Sequence, residues 1–214
     1  MAYSLNNMGI IYHAKNETAK AMKYFMSSLN SVTEIGDKEG ISMVLLSIGN
    51  FYNKEKQYNK ALEYYFKSLK VLEEVKNNKG LIALNYSGIG NVYQQQHDYL
   101  KAGNYYENAL RLADSLQDKL LSSATLVKIG GLNILQEKYT EAESNLTKAY
   151  KISTDIESLT TQRDACQALS ELYGKMNKWN LSLNYYKDYI KLQDSVFNQD
   201  NTKKMVRLEM NYEF

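Results

Sequence analysis

Apolar side chains recur at helical spacing from one end of the chain to the other. Leu45, Ile48 and Tyr52 stand at i, i+3 and i+7, which is one face of a helix. Short polar breaks interrupt the pattern at Lys56-Gln57, Gln96-His97-Asp98, Glu137-Lys138 and Asn177-Lys178. Each break is followed by a second periodic run, such as the one from Asn59 through Val75. Breaks of another kind, Gly36-Asp37-Lys38-Glu39-Gly40 and Asn77-Asn78-Lys79-Gly80, place glycine where a helix C-terminus needs the left-handed conformation. The pattern predicts pairs of helices joined end to end.

The pairs are copies of one unit. Met8-Gly9-Ile10-Ile11-Tyr12, Ile48-Gly49-Asn50-Phe51-Tyr52, Ile89-Gly90-Asn91-Val92-Tyr93, Ile129-Gly130-Gly131-Leu132-Asn133 and Leu169-Ser170-Glu171-Leu172-Tyr173 follow one another at intervals of 40, 41, 40 and 40 residues. A second mark follows each: Ala21 with Phe25, Ala61 with Tyr65, Ala102 with Tyr106, Ala142 with Leu146 and Ser182 with Tyr186. Glycine inside a helix costs about 1 kcal/mol against alanine. Its return at Gly9, Gly49, Gly90 and Gly130 implies close approach of the partner helix, with the alanine of the second mark facing it and aromatic rings wedged between neighbouring hairpins. No hairpin can bury its apolar face alone, so stacking of neighbours supplies the stability.

These two marks resemble the tetratricopeptide repeat, whose pattern is W-x2-L-G-x2-Y, then A-x3-F, then P. The likeness covers roughly residues 2 to 195. The period is longer than the usual ~34 residues, the closing proline is missing, and Leu5, Leu45, Tyr86, Leu126 and Cys166 replace the first aromatic. The resemblance implies an all-α fold, a right-handed α-solenoid of five helical hairpins. The repeats are expected at about 1–36, 37–76, 77–117, 118–157 and 158–195. A polar stretch, Asn198 to Thr202, then precedes Met205, Leu208 and Tyr212 at helical spacing. Residues 196–214 are therefore expected to form a separate C-terminal helix, capping the last repeat or connecting onward.

Composition removes several function classes. Twenty-six Lys plus Arg against 24 Asp plus Glu leave a net charge of +2, which gives no footprint for nucleic acid or an anionic membrane. One cysteine and two histidines exclude a disulfide framework and leave little for a metal. There is no proline, in keeping with helix throughout. No apolar run approaches the ~18 residues of a membrane span, and the N-terminal residues carry no secretory signal pattern. Helical patterning that starts at the first residue reads as an excised domain. Gly88-x-Gly90 lacks the third glycine of a dinucleotide fingerprint. His97-Asp98 falls in a turn, Cys166 at an apolar repeat position. The pairs Tyr64-Tyr65, Tyr105-Tyr106 and Tyr185-Tyr186 are explained by repeat packing. No nucleophile, base and orienter come together, so neither catalysis nor a cofactor is expected.

What remains is the inner face that a helical-hairpin solenoid forms with its first helices. The residue after the repeat glycine is expected to point inward, and so are those one turn before and after it. In the first repeat these are Asn6, Ile10 and His13, in the second Leu46, Asn50 and Asn53, and in the third Ser87, Asn91 and Gln94. Val127, Ile134 and Leu135 would add an apolar pocket. Asn amides offer a donor and an acceptor each, suited to the backbone of an extended peptide. The basic residues that clamp an acidic chain end in chaperone-binding repeat proteins are not at their positions, so capture of such an end is not expected.

The closing segment from Asp194 to Phe214 is similar to the end of the repeat region in membrane-bound sensor proteins of Bacteroidetes-type bacteria. There a transmembrane helix and a histidine kinase, a cyclase or a helix-turn-helix regulator follow. That resemblance implies the sensory region of a bacterial signal-transduction receptor, extracytoplasmic (periplasmic) and binding a protein or peptide. Without it, the expectation is a cytoplasmic, stand-alone structural adaptor. No nucleic acid and no direct membrane contact are expected. Apolar surface on the end repeats would support pairing into a homodimer.

Overall fold

The computed structural model describes residues 2–75 and 78–212, with side chains placed through residue 199. Asn77 of the second linker, and the side chains of Met205, Leu208 and Tyr212, lie outside the described residues. Ten helices and no strand are found among the described residues. In chain order they are α1 (Ala2–Ala14), α2 (Thr18–Glu34), α3 (Lys38–Lys54), α4 (Tyr58–Glu73), α5 (Lys79–Gln95), α6 (Tyr99–Ser115), α7 (Lys119–Leu135), α8 (Tyr139–Asp155), α9 (Leu159–Lys175) and α10 (Trp179–Tyr212). Consecutive helices pair into five hairpins. The chain divides into two compact units, Met1–Leu116 and Gln117–Phe214. In the first unit α1, α3 and α5 lie side by side, with α2 packed on α3 and α4 on α5. In the second unit α7 and α9 adjoin in the same way, with α8 against α9.

The repeat glycines are explained by one contact. A Cβ on Gly9 would stand 2.6 Å from the ring of Phe25, one on Gly49 2.6 Å from Tyr65, and one on Gly90 2.7 Å from Tyr106. Leu146 crowds Gly130 in the same manner. The second mark therefore faces the glycine through its aromatic or leucine, four residues beyond the expected alanine. Phe25, Tyr65, Tyr106 and Leu146 are all buried. Tyr65 is also a wedge between hairpins, because a Cβ on Gly88 of α5 would meet it at 2.7 Å. The fifth hairpin replaces this contact with hydroxyls: Ser170 donates to the Ser182 carbonyl at 2.9 Å, and Ser182 returns a bond to the Ser170 carbonyl at 2.8 Å.

The first tyrosine of each Tyr pair stacks within its hairpin. Tyr52 lies on Tyr64 with ring centroids 5.3 Å apart, Tyr93 on Tyr105 at 5.7 Å and Tyr173 on Tyr185 at 5.6 Å. Tyr12 and Tyr24 stack in the same place at 5.1 Å. In the fourth hairpin both positions are asparagine, Asn133 and Asn145. The two replacements accompany each other because either ring alone would lose its stacking partner.

The hairpin turns, legible in the sequence as polar breaks, take the left-handed conformation. Asn16, Lys56, His97, Glu137 and Asn177 hold positive φ of 57 to 62°, without a glycine among them. Each turn returns an N–H to the last turn of the first helix, as in Gln57 N to the Tyr52 carbonyl at 2.9 Å. Gly36 is left-handed at φ 70°, as expected of a helix end. Gly40 and Gly80 instead lie in the first turns of α3 and α5. The starts of α3, α5, α6 and α7 are fixed by side-chain caps: Asp37 accepts from Gly40 N, Asn78 from Leu81 N, Asp98 from Lys101 N and Asp118 from Leu121 N.

The expected separate helix at 196–214 is not formed as such. α10 runs unbroken from Trp179 to Tyr212 through Asn198–Thr202. That stretch holds neither glycine nor proline, and Asn, Gln, Asp and Thr each lower helix propensity by well under ~1 kcal/mol. A continuous helix does not turn back to cover its own hairpin. No helix among the described residues is long and apolar enough to cross a membrane.

Candidate binding face

The first helices of unit 1 present a row of amides, and buried tyrosines from the second helices hold them from below. Tyr65 reaches from α4 between Gly49 and Gly88, and its hydroxyl donates to Asn50 Oδ1 at 2.7 Å. Tyr106 does the same from α6, donating to Gln94 Oε1 at 2.9 Å. Burial pushes both phenols well above the ordinary tyrosine value, so they remain neutral donors. Asn53 Nδ2 of α3 donates to Asn91 Oδ1 of α5 at 2.8 Å, which bridges two hairpins. The amides thus have fixed orientation, with one group left over: Asn53 Oδ1 is buried and without a partner.

A cleft of about 330 Å3 opens over this row. Asn50, Asn53, Asn91 and Gln95 line it, with Lys54, Lys56 and Tyr58 alongside. No carboxylate is among these residues. Lys56 and Tyr58 enter because the left-handed turn at Lys56 brings the start of α4 beside the end of α3. That turn was the missed signal: a non-glycine at the same point of every hairpin.

The remaining expected residues are distributed differently. Ile10 is exposed, and Asn50 is the exposed end of the row. His13 Nε2 lies 3.2 Å from Glu55 Oε1 and its ring packs on Phe51, so it joins two hairpins. Asn6, Leu46 and Ser87 are buried, since the position one turn before the glycine is turned under the neighbouring first helix. In unit 2 the expected apolar pocket loses its wall. Ile134 is buried in a cluster with Leu146, Leu169 and Leu172, and Val127 packs against that cluster. Leu135 is exposed.

The chemistry-bearing residues elsewhere have packing roles. Gly88 and Gly90 are mid-α5. Asp98 caps α6, and His97 Nδ1 lies 3.0 Å from the Tyr99 hydroxyl. Cys166 is buried, which pushes its thiol up to about 11. No group of three or more potential metal ligands occurs among the described residues.

Comparison with known proteins agrees with this architecture. Family profiles described as tetratricopeptide repeat match residues 2–31, 40–115 and 81–155. No curated protein matches the sequence. Among solved structures, BtubC (BKLC) from P. vanneervenii is similar with a TM-score of 0.73 at 14% identity, over 90% of this chain and 79% of that one. Aspartyl phosphate phosphatase F from Bacillus subtilis gives 0.78 at 16% identity, over 91% of this chain and 51% of that one. A Rap protein complexed with competence and sporulation factor gives 0.76 at 18% identity, over 89% and 53%. The chain thus spans about half the length of these last two proteins, and at such identities the likeness is one of fold. Profile matches across most of its length, joined to the glycine-over-aromatic contact repeated from hairpin to hairpin, place the chain in the tetratricopeptide repeat family.

Proposed function

We propose that this chain is a protein- or peptide-binding module, non-catalytic, whose ligand lies across α3 and α5 in the cleft bounded by Asn50, Asn53 and Asn91. The observation that carries the reading is the pre-set amide row, with Asn50 held by Tyr65 and Asn91 by Asn53, lining an open cleft beside Lys54 and Lys56. An extended ligand backbone supplies N–H groups to the amide oxygens of such a row and carbonyls to the amide and lysine donors around them. Fixing the amides beforehand lowers the ordering cost of binding. The Rap protein seen with competence and sporulation factor supports use of this fold for ligand capture. We place the module as the sensory region of a bacterial signal-transduction receptor, a reading that rests on the resemblance of the segment from Asp194 onward. Transmission then requires the ligand to favour one arrangement of hairpins over another.

The test is affinity selection from a pool of random capped peptides, by wild type and by Asn50→Ala and Asn91→Ala. Asn91→Ala removes the acceptor for Asn53 as well, so loss of the wild-type peptides is expected in that variant first. Recovery of the same peptides by both variants, with unchanged circular dichroism, would remove the ligand from this cleft.

A further inference from the structure

The outward face of α10 carries an apolar strip with no cover. Trp179, Leu183, Tyr186, Ile190 and Phe197 stand at i, i+4, i+7, i+11 and i+18, within a narrow sector of the helix. They are 65%, 51%, 52%, 41% and 65% exposed. The same positions are closed in the other hairpins. Phe25, Tyr65, Tyr106 and Leu146 correspond to Tyr186, and each is at most 1% exposed. Leu29, Leu69, Leu110 and Tyr150 correspond to Ile190 and are half-buried. In α2, α4 and α8 this face lies against the first helix of the following hairpin within the same unit. Among the described residues α10 packs along α9, and its Tyr185 also meets Tyr150 of α8, but neither contact covers the strip.

At the point where the repeat would begin a sixth hairpin, α10 continues instead. α2, α4, α6 and α8 stop after 16 or 17 residues, whereas α10 continues for 34. The turn that would return a sixth hairpin onto the strip is therefore absent where the repeat would put it. A second copy of the chain meets the requirement, because apolar residues gathered in one sector of a helix pack on the same residues of a partner about a two-fold axis. Taking about 200 Å2 for each full side chain, the exposed fractions amount to roughly 550 Å2, at the upper end for a monomer surface. Two such strips face to face bury about 1,100 Å2, just above the ~1,000 Å2 a specific interface needs.

We infer that the α10 strip is a homodimer interface, in which two copies pair through Trp179, Leu183, Tyr186, Ile190 and Phe197 about a two-fold axis. Every contact then occurs twice, so one substitution removes two. Trp179 is the single tryptophan of the chain and reports directly on closure of the strip.

The experiment is sedimentation velocity of the full chain from about 1 to 200 μM, read alongside tryptophan emission, for wild type, Ile190→Asp, Tyr186→Ser and the control Leu100→Asp. Leu100 is 77% exposed and lies on α6, in the other compact unit. The expected result is a monomer–dimer transition in the micromolar range with a parallel blue shift of Trp179. Ile190→Asp and Tyr186→Ser each weaken the dimer at least about tenfold with helix content retained, and Leu100→Asp leaves it unchanged. A monomer throughout the range overturns the inference and gives the strip to a different protein. A dimer that survives both strip variants, or forms with no change in Trp179 emission, overturns it equally.

Discussion

Gly130 and Gly131 are neighbours in α7, yet replacing each by alanine should shift stability in opposite directions. Both sit inside the helix, where alanine is favoured over glycine by about 1 kcal/mol. A Cβ at Gly131 meets nothing within 4 Å, so Gly131→Ala should keep the full gain, roughly 0.5–1 kcal/mol. A Cβ at Gly130 would stand 2.5 Å from Leu146 Cδ2, and nearer still to Cγ. A clash with Cγ cannot be relieved by swinging the end of the side chain. The whole leucine must shift, and it is fully buried among Ile134, Leu169 and Leu172. Overpacking of that kind costs about 1–3 kcal/mol. Set against the propensity gain, Gly130→Ala should lose about 1–2 kcal/mol. The two variants then differ by roughly 2–3 kcal/mol, or about 1 M or more in urea midpoint at the usual slope for a small protein. Urea titration followed by circular dichroism measures the difference, and hydrogen exchange of the α7 and α8 amides reads it locally. Equal effects of the two substitutions, or a loss at Gly131 as large as at Gly130, would refute the claim that the repeat glycine exists to admit the facing side chain.

Three further outcomes follow from the same geometry. Glu137 holds φ 60°, a conformation that costs a non-glycine about 1 kcal/mol, so Glu137→Gly should raise the unfolding free energy measured in urea by roughly that amount. Asn177→Gly should gain distinctly less, because asparagine tolerates the conformation. Asp37 is held below the ordinary carboxylate value by the Tyr3 hydroxyl, which donates to Oδ2 at 2.6 Å, and by Gly40 N. A pKa depressed on folding stabilises fully above the unfolded value and is lost as pH falls through the folded one. Asp37→Ala should therefore cost about 1 kcal/mol at pH 7 and progressively less in thermal melts below pH 4. Cys166, with its thiol raised to about 11, is thiolate in only about one molecule in a thousand at pH 8. A disulfide reagent should label it slowly in the native protein and at once in denaturant, and immediate native labelling would contradict its burial.

The repeat itself was legible because one steric need, room for a ring or leucine over a helix backbone, returns at the same point of each hairpin. The candidate site was legible in part. Asn50, Asn53 and Asn91 follow from the glycine register and line one cleft of unit 1, whereas Gln94 accepts from Tyr106 and Gln95 takes the place in the lining. Leu46, Ser87 and Ile134 follow from the same register yet are covered, because a helix between two neighbours buries a wider sector than one resting on a single partner. The left-handed residues of the hairpin turns were legible by type only in part, since asparagine and histidine favour that conformation at Asn16, His97 and Asn177 whereas Lys56 and Glu137 carry no such preference.

The sequence by itself determined the helices, their pairing and their forty-residue beat, because those depend on contacts between residues close along the chain. Only the tertiary structure decided which amides are pinned by a tyrosine from beneath, which apolar residues are sealed by the next hairpin, and that α10 runs on without turning. Those outcomes depend on what lies across the interface from each side chain, and a periodic pattern records a face without recording what covers it.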